Sequence, residues 1–581
     1  MSAHQPSIRR TEYREPVWEI PPPPDGDAVR RISERWKLSR VVAKLVAQRI
    51  GAGNDDVAID RFLNPRFEHL HDPYLMKGMY EAVTRLAEAV YKREVVTIFG
   101  DYDVDGTSST ALLVSTLGAL GVPTEWRIPH RESDGYGLSD RGVELVRETS
   151  GTLVITVDCG VTALEQIAAL TSDGRDVIVL DHHETADSLP DAVAVLDPKR
   201  RDCPYPFEGL AAVGVAFKLV QALEDVLGIA PGTLMLPALD LVALGTAADI
   251  VPIVDENRVL MRAGLRRLSR KPCVGLAALI NVASVNRRNL TTSSIVFGLA
   301  PRINAAGRMG SASTAVRLFL ATDDAEAFPL AQQLADANRV RQTEDKATLE
   351  AAIAEAEEQI GRGVRALVLA DASWHPGVVG IVAARLVERY YLPTIMIAMS
   401  DPIGRGSGRS IDGFDLHAAL GECADVLEGY GGHVKAAGLS ITAENVAVFR
   451  ERFQAVAKRQ ITDDLLRPKQ EIDVVAELGE VSLDTIADIE RLGPFGPENR
   501  RPVFLSRNVR AAAPPEILKG AHLKVEVYQH GAVREIIGFN MADAAPLFEN
   551  PVDIAYVPET NTFLGNTRLQ LRVKAVRTAE M

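Results

Sequence analysis

The sequence of 581 residues contains little cysteine and no long apolar run. Its four cysteines lie far apart and form no Cys-x-x-Cys pair; they are Cys159, Cys203, Cys273 and Cys423. This spacing argues against a disulfide framework and a zinc knuckle, so a reducing cytoplasm is the expected location. No stretch is long and apolar enough to cross a bilayer, and residues 1–16 lack the apolar core of a secretory signal. We therefore expect a globular protein of roughly three or four domains, because the chain is too long for one core.

Acidic residues outnumber basic ones overall, but one stretch carries basic residues alone. The formal net charge of −14 argues against a generic nucleic-acid binder. Between Asn257 and Thr322, however, there are eleven basic residues and no Asp or Glu. They are Arg258, Arg262, Arg266, Arg267, Arg270, Lys271, Arg287, Arg288, Arg302, Arg308 and Arg317. Charged runs often only solvate a helix face. A run of a single sign in an acidic protein is harder to explain that way, and it predicts a surface that faces a polyanion.

The chain pattern predicts an α/β fold with a parallel sheet. A Pro-rich segment, Pro21–Gly26, is typical of an extended linker within an N-terminal extension, residues 1–75. Residues 76–324 then alternate between apolar runs and helix-like segments, as in a sheet covered by helices. The runs are Val95–Phe99, Leu153–Val157, Val177–Leu180 and Leu241–Leu244. Because ligands collect outside the carboxyl ends of such strands, we expect a catalytic domain with its site at that edge.

Three further segments follow. Residues 325–360 are rich in Ala, Glu, Gln and Leu and predict one long connecting helix. Residues 361–460 form a second α/β unit with two Gly-dense segments, of which we expect Gly404–Ser410 to be a loop. Residues 461–581 alternate apolar and polar side chains and predict a β-rich barrel, similar to an OB fold.

Three carboxylates follow the first apolar run at alternate positions: Asp101, Asp103 and Asp105. Like charges beside a buried strand need to be neutralised, and a cluster of oxygen ligands suits Mg²⁺ or Mn²⁺. One Asp could instead cap the helix that we expect to begin near Thr107, but a cap explains one carboxylate only. A calcium-binding EF-hand is excluded because the twelfth loop position, counted from Asp101, is Leu112 and not Glu.

Other polar clusters follow the remaining runs. Asp158 comes after the second run and Asp181-His182-His183 after the third. Adjacent histidines point in different directions, so one can bind a metal while the other faces a substrate. Asp249 lies among mostly apolar neighbours, where a carboxylate needs a partner and a cation would serve.

Several motifs together resemble a known family. DYDVDG at 101–106, VDCG at 157–160, DHHE at 181–184 and GTAADIVP at 245–252 resemble the DHH phosphoesterase superfamily. Gly431-Gly432-His433, followed by Ala436-Ala437-Gly438, resembles a DHHA1 substrate-binding domain. With APRINAAGR at 300–308, WHPGVVG at 374–380 and LGPFG at 492–496, nearly the whole chain resembles the RecJ family of bacterial single-strand-specific exonucleases.

The resemblance implies two divalent cations, Mn²⁺ or Mg²⁺, and a set of site residues. The implied metal ligands are Asp103, Asp105, Asp158, His182 and Asp249, with Asp101 close by. It also implies that His183 lies over the scissile phosphate. Ser407, Arg409 and His433 are expected to hold backbone phosphates, with help from Arg308. The contacts near Gly404–Ser410 are also expected on physical grounds. Glycines let backbone N–H groups approach a phosphate, and Arg409 offers a bidentate donor.

The activity implied by the resemblance is 5′-to-3′ exonuclease action on single-stranded DNA, releasing 5′-mononucleotides in recombination and repair. A single-strand-binding protein and recombination or mismatch-repair factors are the implied partners. A phosphodiesterase of short oligonucleotides or cyclic dinucleotides is the alternative, but it would not need the β-rich domain or the basic stretch. A scaffold without catalysis is disfavoured because every expected ligand is present. Candidates for base stacking are Phe504, Tyr528, Phe539, Tyr556 and Phe563, although most are expected to fill the barrel core.

Overall fold

The computed structural model describes residues 15–51, 55–131, 133–135, 137–400, 402–563 and 566–579, without the side chains of residues 309, 562, 563 and 566. Its strands are β1 (Val17–Glu19), β2 (Val96–Gly100), β3 (Thr124–Arg127), β4 (Leu153–Val157), β5 (Asp176–Leu180), β6 (Ala194–Leu196), β7 (Leu367–Asp371), β8 (Thr394–Ala398), β9 (Ile403–Arg409), β10 (Gly429–Gly432), β11 (Ala436–Thr442), β12 (Lys469–Glu471), β13 (Val474–Val475), β14 (Phe504–Ala511), β15 (Glu516–Leu518), β16 (His522–Gln529), β17 (Ala532–Gly538), β18 (Val552–Phe563) and β19 (Asn566–Thr578).

Helices make up most of the remainder. They are α1 (Gly26–Trp36), α2 (Arg40–Ile50), α3 (Asp56–Leu63), α4 (Met79–Lys92), α5 (Val104–Ala119), α6 (Asp140–Arg147), α7 (Leu164–Ser172), α8 (Ala212–Val226), α9 (Leu239–Ala248), α10 (Asp255–Arg270), α11 (Val274–Val282), α12 (Thr292–Ser294), α13 (Ala300–Met309), α14 (Ser313–Leu320), α15 (Asp324–Gly361), α16 (Pro376–Tyr390), α17 (Leu416–Gly421), α18 (Val446–Gln460) and α19 (Leu483–Glu490). Among the described residues, no helix combines the length and apolar character of a membrane span.

The chain forms two compact units. The first unit comprises Asp55–Val340 with Leu492–Arg501, and the second comprises the described parts of Met1–Asn54, Arg341–Arg491 and Pro502–Met581. Helix α15 is a single helix of 38 residues, as the composition of 325–360 predicts, and it contributes residues to both units. Pro329 lies near its start, where a missing N–H costs little.

The first unit is built on a five-stranded parallel sheet in the order β3-β2-β4-β5-β6. Every residue of β2 and β4 is buried, which explains why these strands are continuous apolar runs without alternation. The register pairs Gly100 with Val157, Val157 with Leu180, and Leu180 with Leu196. The last residues of four strands therefore lie side by side, and the residues that follow them share one edge of the sheet.

One predicted strand is wrong. Leu241–Leu244 lies in α9, a helix in which every residue from Leu239 to Ala247 is buried. A fully buried helix has no polar face, so a short apolar run within it cannot be told from a buried strand by periodicity. Asp249 therefore reaches the sheet edge from the C-terminal end of a helix.

The second unit contains a mixed sheet in the order β10-β11-β9-β8-β7. The segment Gly404–Ser410, which we expected to be a loop, forms most of β9, a strand paired on both sides. Its glycines exist for packing: a Cβ on Gly406 would lie 2.7 Å from Leu439 Cδ1, and one on Gly408 would lie 2.9 Å from Leu416 Cδ2. The intervening residues of β9 project from the opposite face of the sheet.

A β-barrel completes the second unit. Strands β14, β18, β19, β17 and β16 are paired in that order, and a β14–β16 pairing closes the ring. This arrangement confirms the predicted OB-like barrel. Trp18 and Ile20 pack against its buried residues, and Ser39 N–H, before α2, donates to Asp488 at 2.7 Å. The N-terminal segment thus contributes ordered helices that its Pro-rich composition did not indicate.

Candidate metal centre

An aspartate directly follows four of the five strands in the first unit. Asp101, Asp158, Asp181 and Asp197 come after β2, β4, β5 and β6. The backbone N–H groups of the first three donate to the neighbouring strands, to Val157 O at 3.3 Å, Leu180 O at 2.9 Å and Leu196 O at 3.0 Å. These bonds continue the ladder by one residue, so the register of the sheet fixes the aspartates in a row. All four side chains are buried.

Asp103 and Asp105 approach this row from the start of α5. Asp103 is the N-cap, and its Oδ1 accepts the N–H groups of Asp105 at 2.9 Å and Gly106 at 3.1 Å. The helix begins at Val104, slightly earlier than predicted. Gly106 is needed for close approach, because a Cβ there would lie 2.4 Å from Asp101 O.

Asp105 is fully enclosed and oriented by a second helix. Its Oδ2 accepts Ala212 N–H at 2.7 Å and its Oδ1 accepts Val213 N–H at 3.0 Å, both at the start of α8. The positive end of the helix dipole favours a carboxylate at this position. Gly245 of α9 leaves the necessary space, since a Cβ there would lie 2.7 Å from Asp105 Oδ1.

His182 lies among three of these carboxylates. Its Nε2 is 3.3 Å from Asp158 Oδ1, 3.5 Å from Asp249 Oδ2 and 4.0 Å from Asp105 Oδ2. Both ring nitrogens are buried and neither has a hydrogen-bond partner among the described atoms. Burial, followed by the positive charge of His183, lowers the pKa of His182 to about 3. A buried, neutral imidazole that faces several carboxylate oxygens has the form of a metal ligand.

The carboxylates repel one another in a dry environment. Burial raises the pKa of Asp101 to about 7, and the negative charge of Asp103 adds to this shift. The same two causes raise the pKa of Asp249 to about 7. Burial also raises the pKa values of Asp105 and Asp158 well above their ordinary range, with neighbouring carboxylates as the next cause. Without further positive charge, this cluster must hold protons near neutral pH.

The donor atoms fit divalent cations. Three groups of side chains have ligand atoms within 4.8 Å of one another: Asp101 with Asp103 and Asp158, Asp105 with His182 and Asp249, and Asp158 with His182 and His183. Carboxylate oxygens with one or two imidazole nitrogens suit Mn²⁺ and Mg²⁺ better than a soft metal. Asp158 and His182 each belong to two of the groups, so the three groups form one connected cluster. The five implied metal ligands and Asp101 are therefore brought together here.

His183 is held by a residue that the sequence prediction did not assign a role. Its Nδ1 lies 2.7 Å from Asp181 Oδ1, while Asp181 Oδ2 accepts Val161 N–H at 2.9 Å. Burial, the largest effect, would lower the pKa of His183, but the hydrogen bond and charge of Asp181 outweigh it and raise the pKa to about 9. Asp181 thus orients an imidazolium beside the cluster.

Asp197 is a second residue that the prediction missed. It is fully buried, its Oδ1 accepts Lys199 N–H at 2.8 Å, and burial raises its pKa to about 7. Its strand has only three residues, which made the pattern weak. The available signal was the repeated order of an apolar run followed by Asp, as in Ala194-Val195-Leu196-Asp197.

Backbone strain flanks the cluster. Asp158 has φ = 62° and Ile250, directly after Asp249, has φ = 61°. A left-handed conformation is tolerated by Asp but is unfavourable for a β-branched residue. Ile250 is also 63% exposed, so no core packing compensates for it. Unfavourable backbone of this kind collects at functional sites.

The predicted phosphate contacts divide between the units. Arg308 is in the first unit, on α13; in this helix, a Cβ on Gly307 would lie 3.1 Å from Tyr102 O. Ser407 and Arg409 are neighbours on one face of β9 in the second unit, where Arg409 Nη1 donates to Ser407 Oγ at 3.1 Å. Gly380 of α16 packs over them, since a Cβ there would lie 2.8 Å from Ser407 Oγ. His433, after β10, is exposed.

The barrel aromatics separate into two groups. Phe504 and Tyr556 are buried in the barrel, with ring centroids 5.9 Å apart, as expected of core residues. Tyr528 and Phe539 are 42% and 53% exposed and remain available to stack on a base. The side chain of Phe563 lies outside the described part of the chain.

Family models match three segments of the chain. Residues 95–246 match the DHH family N-terminal domain, residues 363–459 match the DHHA1 domain, and residues 472–575 match the RecJ OB domain. The DHH segment contains Asp101 to His183, and the DHHA1 segment contains Ser407, Arg409 and His433.

Whole-chain comparisons agree with these matches. The chain is 38% identical over 530 residues to the single-stranded-DNA-specific exonuclease RecJ of Bacillus subtilis, covering 90% of this chain and 66% of that protein. It is 34% identical over 523 residues to the Escherichia coli RecJ, covering 85% and 89%. The crystal structure of Thermus thermophilus RecJ with Mn²⁺ matches with a TM-score of 0.83 at 29% identity, over 97% of this chain and 80% of that one. The same protein with Mg²⁺ matches with a TM-score of 0.77 at 28% identity, over 97% and 79%.

Proposed function

The chain belongs to the RecJ family, and from that premise we propose that it is a metal-dependent exonuclease specific for single-stranded DNA. It degrades the strand from the 5′ to the 3′ end, releases 5′-mononucleotides, and acts in DNA recombination and repair. The observation that carries this proposal is the buried group of Asp101, Asp105 and Asp158 around His182, which lacks any Lys or Arg partner among the described residues. Such a group is stable in ionised form only with bound cations.

The cofactors are two divalent cations, Mn²⁺ or Mg²⁺, the ions with which the Thermus RecJ structures were solved. Asp101, Asp103 and Asp158 would hold one ion, and Asp105, His182 and Asp249 the other. When bound, two such ions activate a water and neutralise charge on the attacked phosphate during in-line displacement. The close grouping of donor atoms within 4.8 Å supports this division.

His183 is proposed to contact the scissile phosphate. Asp181 holds its Nδ1, so Nε2 is the nitrogen that would donate to a phosphate oxygen. The raised pKa, about 9, keeps the ring protonated at neutral pH, which suits an anionic substrate. Asp181 acts as a positioning residue, because it fixes the orientation and charge of the ring without touching the substrate.

Backbone phosphates are proposed to lie against Ser407, Arg409 and His433, with Arg308 contributing from the first unit. Arg409 is partly enclosed, and burial lowers its pKa, so an anion nearby would stabilise the guanidinium. Tyr528 and Phe539 on the barrel would stack on bases further along the strand. Ser407 and Arg409 of β9 are thus proposed to contact the substrate, whereas the glycines that alternate with them allow close packing on the other face of the sheet.

Partners and location follow from the proposed substrate. A single-strand-binding protein and recombination or mismatch-repair factors are proposed partners, and the cytoplasm is the proposed location. The four free cysteines are consistent with a reducing compartment.

The direct test is digestion of end-labelled single-stranded DNA, single-stranded RNA and duplex DNA with Mn²⁺ or Mg²⁺. We expect rapid loss of 5′-labelled single-stranded DNA as mononucleotides, and little digestion of the other two. Asp158→Ala should abolish cleavage while single-strand binding stays measurable. Preferred cleavage of dinucleotides, or normal digestion by Asp158→Ala, would contradict the proposal.

A further inference from the structure

The C-terminal half of α10 carries cations in a regular row. Arg262, Arg266 and Arg270 are exposed and recur every fourth residue, and Lys271 follows directly. Like charges four residues apart on a helix repel one another and destabilise it. At Arg262, burial lowers the pKa of the guanidinium, and the charge of Arg266 adds to this shift. The helix tolerates an arrangement that disfavours its own stability.

Several other cations of the basic stretch contact groups within the protein. Arg258 is 3% exposed and donates to Phe62 O at 2.8 Å. Arg287 Nε donates to Ser269 O at 3.1 Å, and Arg302 Nη1 donates to a carbonyl of its own helical segment. Arg267 lies 3.6 Å from Asp240. The predicted polyanion surface therefore cannot include all eleven residues.

Three arginines of α10 and Lys271, which follows its last residue, border a groove of about 570 Å³. Among the described residues, none of Arg262, Arg266, Arg270 and Lys271 forms an ion pair, although Arg262 Nη1 donates to Leu63 O at 2.9 Å. The lining also contains apolar side chains, chiefly Phe67, Leu236, Leu239 and Val259, together with Arg66, Arg267 and Glu68. Cations in the last turn of a helix are stabilised by its dipole, which accounts for Arg270. That effect is confined to the last turn, so it does not account for Arg262 or Arg266.

We propose that this α10 groove, defined by Arg262, Arg266, Arg270 and Lys271, is a second contact for the phosphate backbone of single-stranded DNA, apart from the metal centre. Charges about 6 Å apart along a helix suit a ligand with regularly repeated charge more than a single anion. Arginine offers phosphate a bidentate fork, and three of the four cations are arginines. A nucleobase that packs against the apolar part of the lining is removed from water. This inference rests on the proposed function, since it names where the same substrate is held.

The test measures binding of fluorescein-labelled oligo(dT) of 30 and of 6 nucleotides to the full chain in EDTA, over a range of NaCl concentrations. The variant Arg266→Glu with Arg270→Glu is compared with a control of equal charge change, Arg317→Glu with Lys346→Glu. The control residues are exposed cations outside the groove. Arg266→Gln with Arg270→Gln serves as a milder variant that leaves no new charge repulsion to affect folding.

For single strands, log K falls with log salt by about 0.7 for each phosphate contact. We expect the slope for the 30-mer to become shallower by about 1.4 in both groove variants, with affinity at low salt reduced at least tenfold. Binding of the 6-mer, and its cleavage when Mn²⁺ is added, should stay at the wild-type level. An unchanged slope, or a change equal to that of the control, overturns the proposal.

Two outcomes separate this inference from others. The wild-type protein could instead bind poly-L-glutamate more tightly than oligo(dT), with this preference lost in the groove variants. That result would make the groove a site for an acidic protein and overturn the DNA assignment. If the wild-type protein binds oligo(dT) with the expected slope but cleaves none of it, the proposed function fails and the groove assignment stands.

Discussion

Two clusters of buried charge in the first unit differ in how their charge is balanced. In one, Lys218 of α8 and Glu256 of α10 are both fully buried and 3.1 Å apart. Glu256 also accepts Tyr205 Oη–H at 2.5 Å and His71 N–H at 2.7 Å. In the other, the aspartates of the metal centre gather around His182 and, among the described residues, pair with no Lys or Arg. The first cluster is neutral and hydrogen-bonded within the protein, whereas the second requires charge from outside.

The difference separates structural from functional burial of charge. A buried ion pair with its hydrogen bonds satisfied is compatible with stability alone. A buried group of like charges with raised pKa values costs stability, and it persists where function requires it. The contrast predicts opposite effects when one carboxylate is removed from each cluster.

The largest effect on activity is expected from Asp249→Asn. It removes a proposed metal ligand while keeping the side-chain shape, so activity on single-stranded DNA should fall at least ~100-fold, equivalent to about 2.7 kcal/mol or more. The metal-free protein should be slightly more stable, because Asn ends the repulsion with Asp103 and removes a negative charge from the C-terminal end of α9. Rate assays and thermal unfolding in EDTA measure the two changes. Lower metal-free stability would contradict the account of this cluster.

Glu256→Gln should have the opposite profile. It leaves the ammonium of Lys218 buried without a counter-charge, which costs about 3–5 kcal/mol of unfolding free energy. Activity per folded molecule should remain close to the wild-type level, because Glu256 is not among the proposed metal ligands. Denaturant unfolding of Glu256→Gln beside Glu88→Gln, at an exposed surface pair, gives the comparison. We expect no measurable change in unfolding free energy for Glu88→Gln. Equal destabilisation by the two variants would contradict the interpretation of Lys218 and Glu256 as a structural pair.

The metal-free protein should lose stability as pH rises. Asp101 and Asp249 have pKa values raised from 3.8 to about 7, so their protonated forms are favoured by folding. Their contribution is complete below the unfolded-state pKa and is lost as pH passes through about 7. The loss should be on the order of a few kcal/mol between pH 5 and pH 8. Melting temperatures in EDTA and in Mn²⁺ test this; the ion should remove the decline, and Asp249→Asn should reduce it.

The smallest effect concerns the backbone next to the metal centre. Ile250→Asn replaces a β-branched residue at φ = 61° with one that tolerates this region, so it should stabilise the fold by about 1 kcal/mol. The exposed Val57 on α3 provides a matched control, since Val57→Asn relieves no strain. Chemical denaturation of both variants measures the difference. No gain for Ile250→Asn relative to Val57→Asn would show that the backbone is not strained there.

Much of the metal centre could be predicted because its residues follow strands whose burial is visible in the sequence. Asp101, Asp158 and His182 each come after a β-branched run, and parallel strands bring such positions to one edge. Asp249 was assigned to the same site but to the wrong element, because buried helices and buried strands share a composition. The three-residue strand before Asp197 gave too little pattern to find that residue.

The second unit was harder to predict where packing overrides propensity. Glycine disfavours strands, so Gly404–Ser410 indicated a loop, yet β9 needs glycines to fit beneath Leu416 and Leu439. The N-terminal helices do have sequence signals: Asp25 and Asp55 cap α1 and α3, and apolar residues recur along α2. The pair of Lys218 and Glu256 lies 38 positions apart and has no local signature.

The most direct test of the central claim is a calorimetric titration of the metal-free protein with Mn²⁺ at pH 7, repeated in two buffers with different ionisation enthalpies. We expect about two ions to bind per chain and protons to be released on binding, because carboxylates with raised pKa values must lose them. Asp158→Ala should bind fewer ions. Binding of no ion, or unchanged stoichiometry and no proton release in the wild-type protein and the variant, would contradict it.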